Sequence, residues 1–130
     1  MEIGAHLRLW AASPRFVAAA RVLFAVALVA SLVGALWPDP SSDQIFKSDK
    51  VLHMVAFATL AVFAVFSFPR AKLIKLAIGL SIFGALIEVF QGLPVIGRDA
   101  DAMDWVADMT GVIGVSSAFH LARLLLARWR

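Results

Sequence analysis

Four long apolar stretches set the pattern of this chain, at about 16–37, 51–68, 73–90 and 105–126. Each is close to the roughly 17–25 helical residues that cross a hydrocarbon core. Pro38 and Pro40 end the first, and Pro69 parts the second from the third. Gly92, Pro94 and Gly97 interrupt the chain before the fourth. The pattern predicts an all-α polytopic membrane protein, with four transmembrane helices in a compact bundle over 16–126 and short tails at 1–15 and 127–130. Small residues at helix-packing spacing, Ala27, Ser31 and Ala35 in the first stretch and Gly114 and Ala118 in the fourth, are expected to let helices approach closely in lipid.

Composition agrees. The 130 residues are 62% hydrophobic and 16% charged, with a mean hydropathy of +0.87, and a water-soluble domain this small has no core large enough to hide that surface. The absence of cysteine excludes disulfides, thiolate chemistry and cysteine metal sites. A net charge of +3 does not make a nucleic-acid surface, because the basic residues lie in short clusters at the ends of the apolar stretches rather than in a stripe. The N-terminal arginines Arg8, Arg15 and Arg21 ahead of an apolar run resemble a signal peptide. The length of the run and the poor cleavage context of Trp37-Pro38 favour a retained anchor.

Those clusters predict a sidedness. Arg8, Arg15 and Arg21, then Arg70, Lys72 and Lys75, then Arg123, Arg128 and Arg130 fall on one face with a single acid, Glu2. The other face holds Lys47, Lys50 and Arg98 with the remaining eight acids. The positive-inside rule then puts both termini in the cytoplasm and the acidic face outside. Trp10 and Trp129 are expected at the inner interface, and Trp37 and Trp105 at the outer one.

The polar residues at the outer end carry the candidate chemistry. Asp49, Lys50 and His53 start the second stretch, with Asp49 and His53 one turn apart on one face. Glu88 and Gln91 end the third, again one turn apart. Asp101, Asp104 and Asp108 form an acidic stripe at the start of the fourth, continued by Gly111. Ionisable groups at membrane depth cost about 2.5–3.5 kcal/mol each, so Glu88 and Asp108 are expected to face the bundle interior and a partner. One polar pocket, opening outward and ringed by His53, Glu88, Arg98, Asp101 and Asp104, is the expected arrangement. Asp108 lies deeper than the other two aspartates and away from the helix start. It is expected to be protonated and hydrogen-bonded as an asparagine would be, or paired with a bound cation.

Each residue also has an ordinary explanation. Asp101 and Asp104 suit a helix start, where a carboxylate caps free N–H groups and meets the positive end of the dipole. Ser48 or Asp49 can cap the second helix in the same way. His53 on an apolar helix is by default a packed, hydrogen-bonded histidine. Arg98 is a natural counter-ion to the acids, Lys50 an anchor at headgroup level and Gln91 a helix-end stabiliser. His6 and His120 look structural, and Phe46, Phe57 and Phe90 look like packing.

The residues "DKVLH" with Phe57, "EVFQ" and "RDADAMDWVADMTG" resemble the VanZ-like integral membrane proteins. The family pattern is Asp-Lys-x-x-His, then Glu-x-x-Gln, then Arg-x-x-Asp-x-x-Asp-x-x-x-Asn-x-x-Gly. It falls on Asp49, Lys50, His53, Glu88, Gln91, Arg98, Asp101, Asp104 and Gly111, within a region from about Asp49 to Gly114. Asp108 stands where the family usually has asparagine. The resemblance implies a multi-pass protein of a family named for glycopeptide (teicoplanin) resistance, whose general chemistry is unassigned.

Two function classes follow. The first is a membrane-embedded enzyme at the outer leaflet, acting on a lipid-linked or cell-envelope substrate. His53 with Asp49, Glu88 or Asp104 would supply general acid–base catalysis, and Arg98, Lys50 and Gln91 would hold an anionic headgroup. Asp101, Asp104 and Asp108 would hold a divalent cation through oxygen ligands, with His53 admitting a transition metal. No cysteine and no G-x-S-x-G is present as a nucleophile signature. The second class is a non-catalytic binder or envelope-stress factor that sequesters a ligand, antibiotic or lipid. An ion conduit is weaker, because the polar residues cluster at one end. Lipid is the expected surrounding partner, and nucleic acid is not expected.

Overall fold

The computed structural model describes residues 13–37 and 49–128. These form four helices: α1 (Pro14–Leu36), α2 (Asp49–Ser67), α3 (Leu73–Gln91) and α4 (Ala102–Arg128). Each is long and apolar enough to cross a membrane, and the architecture is that of a multi-pass, all-α membrane protein. The expectations for His6, Trp10, Phe46, Ser48 and Trp129, and for the basic residues Arg8, Lys47 and Arg130, fall outside the described residues.

Local chemistry sets the helix ends. α1 begins two residues earlier than the hydropathy pattern suggests, because the Ser13 hydroxyl accepts a hydrogen bond from the Phe16 N–H and Pro14 occupies the first turn. α2 closes ahead of Pro69, where the Ala71 N–H bonds the Phe68 carbonyl across the turn. After α3, the Gly92 N–H bonds back to the Glu88 carbonyl, and the chain turns through Pro94. Gly97 takes a φ of 67°, which a residue with a Cβ rarely adopts. α4 starts three residues ahead of its apolar run because the Asp101 side chain accepts from the Met103 N–H, capping the free first turn.

The helices run alternately up and down. The end of α1, the start of α2, the end of α3 and the start of α4 meet at one end, and side-chain bonds tie them there. Gln91 Nε2 donates to the Ala35 carbonyl at 2.9 Å, and Arg98 Nη1 donates to the Trp37 carbonyl at 3.1 Å. At the opposite end Arg21 Nε donates to the Ser67 carbonyl at 3.2 Å, and its guanidinium lies over the Phe68 ring. An arginine there satisfies the Ser67 carbonyl at the end of α2.

α2 is the central helix: it packs against the other three, most extensively against α4. The core joins Phe57, Leu60, Ala61 and Ala64 of α2 to Leu80 and Ile87 of α3 and Val112 of α4. Gly111 makes the α2–α4 approach possible, since a Cβ there would run into the Met54 carbonyl and lie 3.0 Å from the Ala58 nitrogen. Of the small residues expected to pack, Ala27 and Ala35 of α1 do meet the core. Gly114 and Ala118 do not; both are exposed, and Gly114 has open space around it. The packing glycine of α4 lies one turn nearer the polar end. Outward-facing apolar residues such as Val22, Val26, Ile78, Ile82 and Ile113 are half exposed or more. Lipid rather than water suits such a surface.

Candidate functional site

The polar end of the bundle is assembled from three helices. Asp49, Lys50 and His53 share the first turns of α2, and Asp104 and Asp108 share one face of α4. Glu88 sits one turn before the end of α3. His53, Asp104 and Asp108 are buried, and Asp108 is 0% exposed.

At its centre His53 Nδ1 and Asp108 Oδ1 are 2.9 Å apart. Beside an ionised carboxylate, which only accepts, a neutral imidazole would carry its hydrogen on Nδ1 and present a lone pair at Nε2. Nε2 makes no hydrogen bond among the described residues; the nearest acidic oxygen is Asp104 Oδ2 at 3.9 Å. Asp49, His53 and Asp104 each offer one ligand atom, all within 4.8 Å of one another.

The rest of the cluster is held by ion pairs. Lys50 Nζ donates to Asp101 Oδ2 and to Asp104 Oδ1, the second at 3.0 Å. Asp104 is thus divided, with Oδ1 on Lys50 and Oδ2 facing His53. Arg98 Nη2 lies 3.6 Å from Asp49 Oδ2. Glu88 Oε2 accepts the Asp101 N–H at 2.9 Å, locking α3 to the start of α4. The Lys50 ammonium, and then the Met103 N–H, hold the Asp101 carboxyl below its ordinary 3.8.

Below this layer the bundle is apolar. One turn deeper along each helix from His53, Gly84 and Asp108 stand Phe57, Leu80 and Val112, all buried. Asp108 Oδ2 is buried without a hydrogen-bond partner among the described residues. It occupies the space beside Gly84, where a Cβ would come within 2.8 Å of it and 3.3 Å of the Phe57 ring. Gly84 is what admits a carboxylate between α3 and α4.

The expected site residues therefore collect at one end, in arrangements that sequence alone does not give. Asp101, Asp104 and Asp108 have different partners: Asp101 and Asp104 share Lys50, Asp101 also accepts from the Met103 N–H, and Asp108 pairs with His53. Gln91, expected beside a ligand, is 1% exposed and spends its amide on α1. Arg98 and Lys50 are both engaged by the protein's own carboxylates. Trp105, expected at the interface, is half-buried and donates through Nε1 to the Ser81 carbonyl of α3 at 3.1 Å. The His53–Asp108 pair and the role of Gly84 were not foreseen. The one signal for Gly84 is an isolated glycine in an apolar helix, which often marks a close approach.

Compared with family models, curated proteins and solved structures, the chain gives no match.

Proposed function

We propose that this chain is a VanZ-like membrane-embedded enzyme whose working group is the His53 imidazole, acting on an anionic lipid-linked or cell-envelope substrate at the extracytoplasmic face. The observation that carries this is the buried 2.9 Å pair between His53 Nδ1 and Asp108, which leaves Nε2 on the side of Asp104, with Asp49 in the same cluster. A carboxylate behind an imidazole fixes its tautomer and orientation and stabilises the positive charge it gains. Lys50 and Arg98 border the same cluster and favour a negatively charged headgroup, which would exchange places with the internal carboxylates. Lipid-facing helices suit a substrate that arrives within the bilayer. The orientation rests on the basic residues Arg15, Arg21, Arg70, Lys72, Lys75, Arg123 and Arg128 toward the opposite end.

A non-catalytic role, in which the pocket sequesters an antibiotic or lipid as a resistance or envelope-stress factor, is favoured by one observation: both cations are already paired with the protein's own carboxylates. One experiment separates the two. The purified protein is incubated in nanodiscs with an extract of envelope lipids, and the lipid-linked species are followed by mass spectrometry. Catalytic conversion of one species, lost in His53→Ala, is the expected result. Stoichiometric retention of a species without conversion would overturn the enzymatic assignment in favour of the binder.

A further inference from the structure

Five carboxylates, Asp49, Glu88, Asp101, Asp104 and Asp108, gather at the polar end against two fixed cations, Lys50 and Arg98. With His53 neutral, this leaves a formal excess of three negative charges, part of it in side chains almost removed from solvent: Asp104 is 4% and Asp108 0% exposed. Uncompensated charge in such a place is costly, and a cation is one way to relieve it.

The donor atoms have a matching layout. His53 is nine-tenths buried, yet its Nε2 has no hydrogen-bond partner among the described residues; Asp104 Oδ2 lies 3.9 Å from it, and Asp49 completes a group of three ligand atoms within 4.8 Å of one another. Its other nitrogen is bonded to Asp108, whose second oxygen lies beside Gly84 of α3. A metal-ligating histidine usually has this environment, one nitrogen on the metal and the other donating to a carboxylate that sets the tautomer. Asp104 Oδ2 is left on the His53 side because Oδ1 is taken by Lys50.

We propose that Asp49, His53 and Asp104 form a divalent transition-metal site, with Asp108 as the positioning residue behind His53. One imidazole nitrogen and two carboxylate oxygens suit Zn²⁺, Mn²⁺ or Fe²⁺ better than Ca²⁺, which prefers oxygen alone. Bonds of about 2.0–2.2 Å require ligand atoms roughly 3–3.5 Å apart, so the three side chains close on the ion by modest rotations. Three protein ligands leave a coordination position for water or a substrate oxygen. The ion would there polarise a phosphoryl or carbonyl group. This ligand set differs from the aspartate stripe expected from sequence, since Asp101 and Asp108 are committed elsewhere. It deepens the proposed function and rests on the same working atom, His53 Nε2.

The test uses the full chain in nanodiscs, stripped with a chelator and titrated with Mn²⁺ and, separately, Zn²⁺. One ion per chain is expected, with pulsed EPR showing imidazole-nitrogen hyperfine coupling to the bound Mn²⁺. His53→Ala and Asp104→Asn should abolish stoichiometric uptake, Asp108→Asn should weaken it by about 10–100-fold, and the exposed Asp99→Asn should leave it unchanged. Absence of stoichiometric uptake by the wild-type chain, or bound Mn²⁺ without nitrogen coupling, overturns the site, and the second reading needs no variant to fold. Stripped protein that takes up no ion yet still converts its lipid overturns the metal and leaves the enzyme standing. Protein that binds the ion with the coupling but converts nothing keeps the metal and overturns the enzyme.

Discussion

Asp108 reaches His53 across 55 residues of sequence and holds its Nδ1 at 2.9 Å, wholly out of solvent. An asparagine at 108 keeps an oxygen that can accept from the imidazole N–H and removes the buried charge. Asp108→Asn should therefore preserve the thermal unfolding midpoint. Asp108→Ala strands a buried imidazole donor and should cost about 1–3 kcal/mol. Scanning fluorimetry in detergent compares them; an alanine variant as stable as the asparagine one would show that the pair does not support the fold.

Gly111 and Gly114 lie three residues apart on α4 in opposite circumstances. A methyl at 111 meets the α2 backbone at Met54 and Ala58, while a methyl at 114 meets nothing within 4 Å. Gly111→Ala should force α2 and α4 apart and destabilise by about 1–3 kcal/mol, the usual cost of overpacking. Gly114→Ala should be neutral, or slightly stabilising through better helix propensity. Equal melting temperatures for the two variants would contradict the packing.

Asp101 has its folded-state pKa lowered by Lys50 and by the Met103 N–H. A depressed carboxyl contributes stability that is fully present above its unfolded value, near 3.8, and is lost as pH falls through the lower folded value. Asp101→Asn should therefore melt below wild type at about pH 6, and the gap should narrow toward about pH 3. The pair is exposed to water, so the gap should be small and should shrink in high salt. A gap that widens in acid would reverse the assigned sign.

The turn around Pro69 and the loop around Pro94 sit at opposite ends of the bundle, the first rich in Arg70, Lys72 and Lys75, the second followed by Arg98 and the acids. Reporter fusions after Arg70 should give a cytoplasmic signal and fusions after Val95 an extracytoplasmic one. The opposite pattern would turn the polar end toward the cytoplasm.

The fold was legible because helix-forming apolar runs in lipid are set by length and by prolines, both readable along the chain. Asp49, His53, Asp101, Asp104 and Asp108 could be grouped at one end for the same reason, since alternate loops of a bundle share an end. Their pairing was not legible. Which oxygen faces which nitrogen depends on helix rotation and depth, and those are set by close contacts such as Gly111 on Met54 and Gly84 beside Asp108. A glycine carries no pattern of its own, so the residues that bring His53 to Asp108 gave the weakest signal. Gln91 shows the converse: its polarity suggested a ligand contact, but an unsatisfied carbonyl at the end of α1 claims its amide.

Phe57, Leu80 and Val112, one turn below His53, Gly84 and Asp108, are buried together in one apolar cluster. Such an apolar layer offers an ion no line of polar groups through the inner half of the described helices. Under the proposed function, substrate would enter and product leave at the same, polar end of the bundle. Product and substrate would then contend for one site, and inhibition by product should be competitive, relieved when product partitions away into the surrounding lipid.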